Sequence, residues 1–153
     1  ETKETRERAL EVGVSQLSGG SKTSVGGYSE EEKSDSANSE QFDLEDTRSL
    51  DERVAWLIEL GYIPSFCTAC YREGRTGDRF MPLAKSGQIG NVCQPNALMT
   101  LKEFLMDYAS DQTRSQAEGL IERELEKIGN PDLKDLVRQR LDLIEEGKRD
   151  FRF

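Results

Sequence analysis

Cysteine occurs three times in this chain, at Cys67 and Cys70 in Cys67-Thr68-Ala69-Cys70 and again at Cys93, and histidine does not occur at all. No other feature limits the fold so tightly. Two thiols stand two residues apart, and the third follows a spacer of 22 residues rich in Gly and Arg. A centre that gathers all three is one protein ligand short of four. Three chemistries compete for them. A disulfide plus a free thiol suits neither the odd count nor a reducing compartment. A structural zinc takes four protein ligands, usually as two close pairs; here the second pair lacks a partner, and Asp78 would have to complete it. A [4Fe–4S] cluster held by three thiolates is the third reading. Its irons are tetrahedral and prefer sulfur, so three cysteines engage three irons and leave the fourth open. Glycines in the spacer let backbone fold closely around such a cluster and offer N–H groups to its sulfides. Arg72, Arg75 and Arg79 are placed to offset its negative charge, or are simply solvated cations.

Composition narrows the function classes. The 153 residues carry a formal charge of −9, with 33% charged and 35% hydrophobic side chains. The core is therefore small relative to the surface. A net negative surface repels nucleic acid and anionic membrane, so neither is an expected partner. No apolar run is long enough to span a bilayer, and no export signal opens the chain. An odd cysteine count without such a signal fits the cytoplasm. Because the chain opens on Glu1 rather than Met, it is expected to be a fragment with residues missing before it.

Along the chain, Thr5 to Glu11 reads as the end of a helix stopped at Gly13. Val14 to Leu17 reads as a short strand, followed by the turn Ser18-Gly19-Gly20-Ser21. Helix, strand and Gly-Ser loop together resemble the close of an α/β unit, in which such loops carry ligands. Ser18 and Ser21 are thus candidates for substrate or cofactor contact, or small residues that only let the chain turn. Thr23 to Gln41 is polar and long for a loop, and reads as a lid or linker. Ser49 and Glu52 form a capping box that opens a helix carrying Val54, Trp56, Leu57 and Ile58, ended by Gly61. Pro64 keeps residues 62–66 extended up to Cys67. Gly74 and Gly77 flank a tight turn, and Phe80 to Lys85 is a short helical piece around Pro82. Gly87 and Gly90 are expected to break the chain before Cys93. Thr100 and Glu103 form a second box, predicting a helix with Leu101, Phe104, Leu105 and Tyr108 on one side. A further helix is predicted over Arg114 to Ile128. Asn130-Pro131 starts a last one, with Leu133, Leu136, Val137, Leu141 and Ile144 inward and Gly147 as its stop. The aromatic tail Arg149-Asp150-Phe151-Arg152-Phe153 is expected to dock.

The run Gly61-Tyr62-Ile63-Pro64-Ser65-Phe66-Cys67-Thr68-Ala69-Cys70-Tyr71-Arg72 carries more than spacing. With Gly74-Arg75-Thr76-Gly77, Ala84-Lys85-Ser86-Gly87, Cys93 and Pro95-Asn96-Ala97, it closely resembles the C-terminal part of the HydG family. These are radical S-adenosylmethionine tyrosine lyases that mature [FeFe]-hydrogenase. The upstream run from Gly13 to Tyr28 and the tail look similar too, so the resemblance covers essentially the whole chain. It implies a (β/α)8 barrel, largely absent here, that binds S-adenosylmethionine and a second [4Fe–4S] cluster. There tyrosine is cleaved to p-cresol and dehydroglycine, which yields carbon monoxide and cyanide at an auxiliary cluster. That cluster carries a labile extra iron bridged by free cysteine, and Cys67, Cys70 and Cys93 match its protein ligands. The family's C-x-x-x-C-x-x-C motif is missing, as is its barrel histidine for the extra iron. The fragment alone is therefore expected to be inactive.

The expected fold is mainly α: the end of a (β/α)8 barrel with its polar loop over residues 1–45, then a helical auxiliary-cluster domain over 46–153. The expected function is the auxiliary-cluster part of a tyrosine lyase, with tyrosine, dehydroglycine, free cysteine and other hydrogenase maturases as partners. The alternative is a non-enzymatic interaction module stabilised by a zinc ion or a cluster on the three cysteines.

Overall fold

The computed structural model describes residues 1–22 and 46–153, and every regular element among them is helical. These residues form two compact units, 1–53 and 54–153. The polar stretch 23–41 lies outside the described residues.

In the first unit, α1 (Lys3–Glu11) begins two residues earlier than its apolar pattern suggests, because Thr2 supplies the cap. The Thr2 hydroxyl oxygen accepts the Thr5 N–H at 3.2 Å, satisfying one of the first-turn donors. The predicted strand at Val14–Leu17 is not formed. A strand needs a ladder partner, and no other strand exists among the described residues. The Val14 N–H instead turns back to Ala9 O at 2.9 Å. Asp46 organises what remains of this unit. Its carboxylate takes Nε and Nη2 of Arg48, both at 2.9 Å, and its backbone oxygen takes Arg53 Nη2 at 2.7 Å. The fork from Arg48 holds the Asp46 carboxyl far below the usual carboxylate range despite its burial.

Helix α2 (Leu50–Glu59) starts at the predicted capping box. Ser49 N–H donates to Glu52 Oε2 at 2.7 Å, and Glu52 N–H donates to Ser49 Oγ at 3.2 Å. It ends in paired bonds from Tyr62 N–H to Leu57 O and from Gly61 N–H to Ile58 O. That closure needs a left-handed residue, and Gly61 has φ +83°. Of the predicted stripe, Val54, Trp56 and Ile58 are buried and Leu57 is half-buried.

Three longer helices make the core of the second unit. After the short α3 (Ala69–Arg72) and α4 (Phe80–Lys85) come α5 (Gly90–Asp107), α6 (Asp111–Glu126) and α7 (Pro131–Glu145). Helix α5 lies against both of the others. Its Leu98, Met99, Leu101 and Leu105 pack with Ala117, Leu120, Ile121 and Leu125 of α6, and with Val137, Leu141 and Ile144 of α7, in one apolar cluster. Burying a side chain of this kind stabilises by roughly 1.5–3 kcal/mol, so this cluster is the stable part of the unit.

Four sequence expectations change here. The second capping box does not open a helix, since α5 has already run ten residues when it reaches Thr100. Thr100 Oγ1 donates back to Ala97 O at 3.3 Å, the intrahelical habit of a mid-helix threonine. Gly90 accordingly starts α5 instead of breaking the chain, while Gly87, at φ +75°, does mark a turn. Leu136, expected inward, is 39% exposed. The helix expected over Arg114 to Ile128 is α6, and it begins at Asp111 because Ser110 caps it, accepting Thr113 N–H at 3.3 Å. Asn130 caps α7 through the Leu133 N–H, with Pro131 in the first turn as expected. No helix among the described residues is long and apolar enough to cross a membrane.

Candidate metal centre

The three cysteines reach their positions by different routes. Residues 62–68 carry no regular structure, and Pro64 is buried within them. This segment is pinned to α5 by two contacts: Phe66 N–H donates to Thr100 Oγ1 at 3.3 Å, and the Phe66 ring stacks on Phe104 at 4.8 Å with 17° between the planes. Cys67 follows at once. Its sulfur accepts the Ala69 N–H at 3.4 Å, so the first backbone donor of α3 is turned towards a thiol. Cys70 lies within α3, whose end is closed by Arg75 N–H on Cys70 O at 2.8 Å and by Gly74 at φ +65°. Only glycine takes that turn without strain. Cys93 sits in the first turn of α5, its N–H on Ile89 O at 2.7 Å.

All three thiols are free; Cys67 and Cys70 are half-buried and Cys93 is exposed. They share one electrostatic neighbourhood. Partial desolvation pushes the Cys93 thiol up, the Cys70 and Cys67 sulfurs push it further, and Arg75 pulls it down. Among the described residues, however, no three His, Cys, Asp or Glu side chains are gathered as tightly as a single metal ion requires. Thiolates on one tetrahedral zinc stand about 3.8 Å apart. Three thiolates on three different irons of a cluster stand wider than that. Three free sulfurs that share one electrostatic neighbourhood are the donor set on which either reading draws.

Of the three arginines expected to offset charge here, two can be assigned. Arg72 is directed to Asp150, with Nη1 and Nη2 on its two carboxylate oxygens. Arg75 is the one that acts on Cys93. Its guanidinium donates to Phe153 O, and its Nε is buried without a hydrogen-bond partner. A buried, unsatisfied N–H is costly unless something anionic faces it. An orphan donor on the arginine that acts on Cys93 fits a negatively charged sulfide cluster, so the donor set and its surroundings suit the group the cysteines suggest.

Sequence reasoning missed Asn96. It is 1% exposed and lies one helical turn after Cys93. Its Oδ1 accepts the Phe153 N–H at 2.9 Å and its Nδ2 donates to Phe153 O at 3.4 Å. The available signal was a polar residue on the same helix face as Met99, where an unpaired amide would be penalised.

Ser18 and Ser21 belong to the first unit. The Ser18 carbonyl, and not its hydroxyl, is the engaged group: it accepts Arg6 Nη1 at 3.1 Å and Arg53 Nη1 at 2.5 Å. Its side chain is exposed, and Ser21 is half-buried. The two arginines fix the position of the Gly-Ser loop.

No protein-family model matches the chain, and no curated protein sequence matches it. Among solved structures it is similar to one described as the crystal structure of HydG, a maturase of the [FeFe]-hydrogenase. The two are 50% identical, with a TM-score of 0.89. The match covers 100% of this chain and 32% of the other, so the chain spans about a third of that maturase.

Proposed function

Because this chain is a relative of HydG over its whole length, we propose that it is the part of a hydrogenase maturase that holds an auxiliary [4Fe–4S] cluster. Cys67, Cys70 and Cys93 are its three protein ligands. The observation that carries the reading is the set of three free thiols coupled electrostatically at Cys93, together with Arg75, which acts on Cys93 and keeps its Nε buried and unpartnered. When bound, the cluster supplies an iron without a protein ligand, open to a labile extra iron and free cysteine. The chain's own residues do the rest. Ala69 N–H and the Arg75 guanidinium counter the negative charge of thiolates and sulfides. Phe66 on Phe104 and Thr100 holds the Cys67 side of the site against α5.

In the whole protein this region serves a radical S-adenosylmethionine tyrosine lyase. The barrel, with its own [4Fe–4S] cluster and S-adenosylmethionine, forms dehydroglycine, and the auxiliary site turns it into carbon monoxide and cyanide for the hydrogenase active site. Residues 1–45 complete that barrel, and Ser18 and Ser21 contribute to its tyrosine or cofactor pocket. The setting is the cytoplasm, and other hydrogenase maturases receive the product.

Anaerobic reconstitution with iron and sulfide tests the reading. We expect about four to five irons per chain and a spectrum that changes on adding free cysteine. Stoichiometric zinc with no cluster signal would return the site to the non-enzymatic module. In the complete enzyme, Cys67→Ala abolishes carbon monoxide release while p-cresol still forms. Survival of carbon monoxide release would remove the triad from the mechanism.

A further inference from the structure

The tail Arg149-Asp150-Phe151-Arg152-Phe153 makes more contacts than docking alone requires, and they divide between the two elements that carry the cysteines. Towards the Cys67–Cys70 side, Asp150 takes the Arg72 fork, Arg152 Nε donates to Glu73 Oε1 at 2.6 Å, and Phe153 O accepts from Arg75. Towards the Cys93 side, Phe153 exchanges two hydrogen bonds with Asn96. Asp150 N–H donates to Glu103 Oε1 at 2.7 Å, and Arg149 forks onto Asp107. All three of these partners lie on α5, which also carries Cys93. Underneath, the Arg140 guanidinium of α7 lies over the Phe153 ring at 4.0 Å and the Phe151 ring at 5.8 Å.

We propose that residues 149–153 are a positioning strap that sets the separation of the Cys67–Cys70 loop from Cys93. The loop after Cys70 is glycine-rich, exposed and without a core of its own, so its placement depends on what ties it to α5. Phe66 ties it before the cysteine pair, and the strap ties it after. Phe153 O is the shared point, accepting from Arg75 on one side and from Asn96 on the other. Asp150 is the one non-glycine residue at positive φ among the described residues, at +68°. That conformation is uncommon for a side-chain-bearing residue, and here it turns the strap so that one carboxylate meets Arg72 while its own N–H meets Glu103. The consequence for cluster binding rests on the metal-centre reading above; the consequence for thiol spacing does not.

Thiol cross-linking in the metal-free chain separates the two. With Cys67→Ser in the background, Cys70 and Cys93 are the only thiols left, and a short bismaleimide reports their proximity. Replacing 149–153 with a Gly-Ser sequence of equal length should lower the cross-linking yield several-fold, with far-UV circular dichroism unchanged. If that replacement disturbs the helices, charge reversal decides instead. Arg152→Glu should lower the yield, and adding Glu73→Arg should restore it. Unchanged yield in a folded replacement chain, or no rescue by the double reversal, overturns the strap. Iron loading is read separately, in the chain with all three cysteines. A native chain that never loads a cluster but shows the cross-linking pattern sinks the metal-centre reading and leaves the strap in place. A strapless chain that loads as the native one does sinks the strap.

Discussion

Leu98 and Asn96 stand two residues apart on α5, both almost completely buried, and they hold different things together. Leu98 lies in the apolar cluster among α5, α6 and α7. Truncating it to Ala removes its transfer energy and leaves a cavity, a cost of about 2–5 kcal/mol. Asn96 faces Phe153 and binds both backbone groups of that residue. Asn96→Ala leaves the Phe153 N–H without a partner and Phe153 O with Arg75 alone, and the usual cost of an unpaired group is about 1–3 kcal/mol. Phe153 is itself only half-buried, so water can reach the freed groups and the lower end of that range applies. Chemical denaturation should therefore show the larger midpoint shift for Leu98→Ala. Cross-linking of Cys70 to Cys93 should show the reverse order, falling for Asn96→Ala and holding for Leu98→Ala while that variant is folded. Equal effects of both variants on cross-linking would mean that tail docking and core packing are one property.

Among the elements, two announced by a local cap were legible in the sequence, whereas the box at Thr100 and Glu103 announced a start that α5 does not make there. Ser49 with Glu52, and Asn130 with Pro131, each satisfy first-turn donors within three residues, so no distant partner was needed to predict them. The start of α5 was not legible. Gly87 and Gly90 read as breakers, and Pro95, a proline inside the helix, forgoes one hydrogen bond. That cost is met by tertiary packing, with Pro95, Asn96, Leu98 and Met99 all buried on one stretch, and such context overrides propensity. For the candidate site, the three cysteines could be named from the sequence, but Arg75 could not be told from Arg72 or Arg79, because the partners of Arg72 and Arg75 lie more than 70 residues away in the tail. The strap itself is electrostatic at its edges, which gives it a pH dependence. Arg152 holds Glu73 below the usual carboxylate range, Arg72 does the same for Asp150, and Arg149 for Asp107. Carboxyls lowered in the folded state contribute stability that is present above their unfolded pKa and lost as pH falls through the folded one. The strap should therefore stay docked at neutral pH and release in acid, below about pH 4. Fluorine NMR of fluorophenylalanine at Phe153 should show the change before the helical signal is lost. High salt should move the release to higher pH, since these pairs are exposed. Release coincident with global unfolding at every salt concentration would mean that the arginine–carboxylate pairs do not hold the strap.

For the whole molecule, the division at Arg53 and Val54 bears on what can carry the metal centre. Every residue of the apolar cluster lies between Val54 and Ile144, with Ile63, Leu133, Phe151 and Phe153 packed against it. All three cysteines, both anchors of the Cys67 segment and the whole strap fall in the same unit. Ser49 is the natural place to begin a shorter chain, since the capping box that starts α2 is then retained. Cutting at Val54 would remove that cap and leave the remaining turns of α2 to fray. A chain of residues 49–153 is of the size at which one hydrophobic core can sustain a fold, roughly a hundred residues. It should unfold in a single cooperative transition in urea, with Trp56 as the probe because that side chain is buried in α2. It should also cross-link Cys70 to Cys93 as the full chain does and take up the same amount of iron. A steep transition with native cross-linking but no iron would place an essential part of the metal centre in residues 1–48. A broad, non-cooperative melt would show instead that the apolar cluster does not suffice, and that the first unit contributes stability to the second.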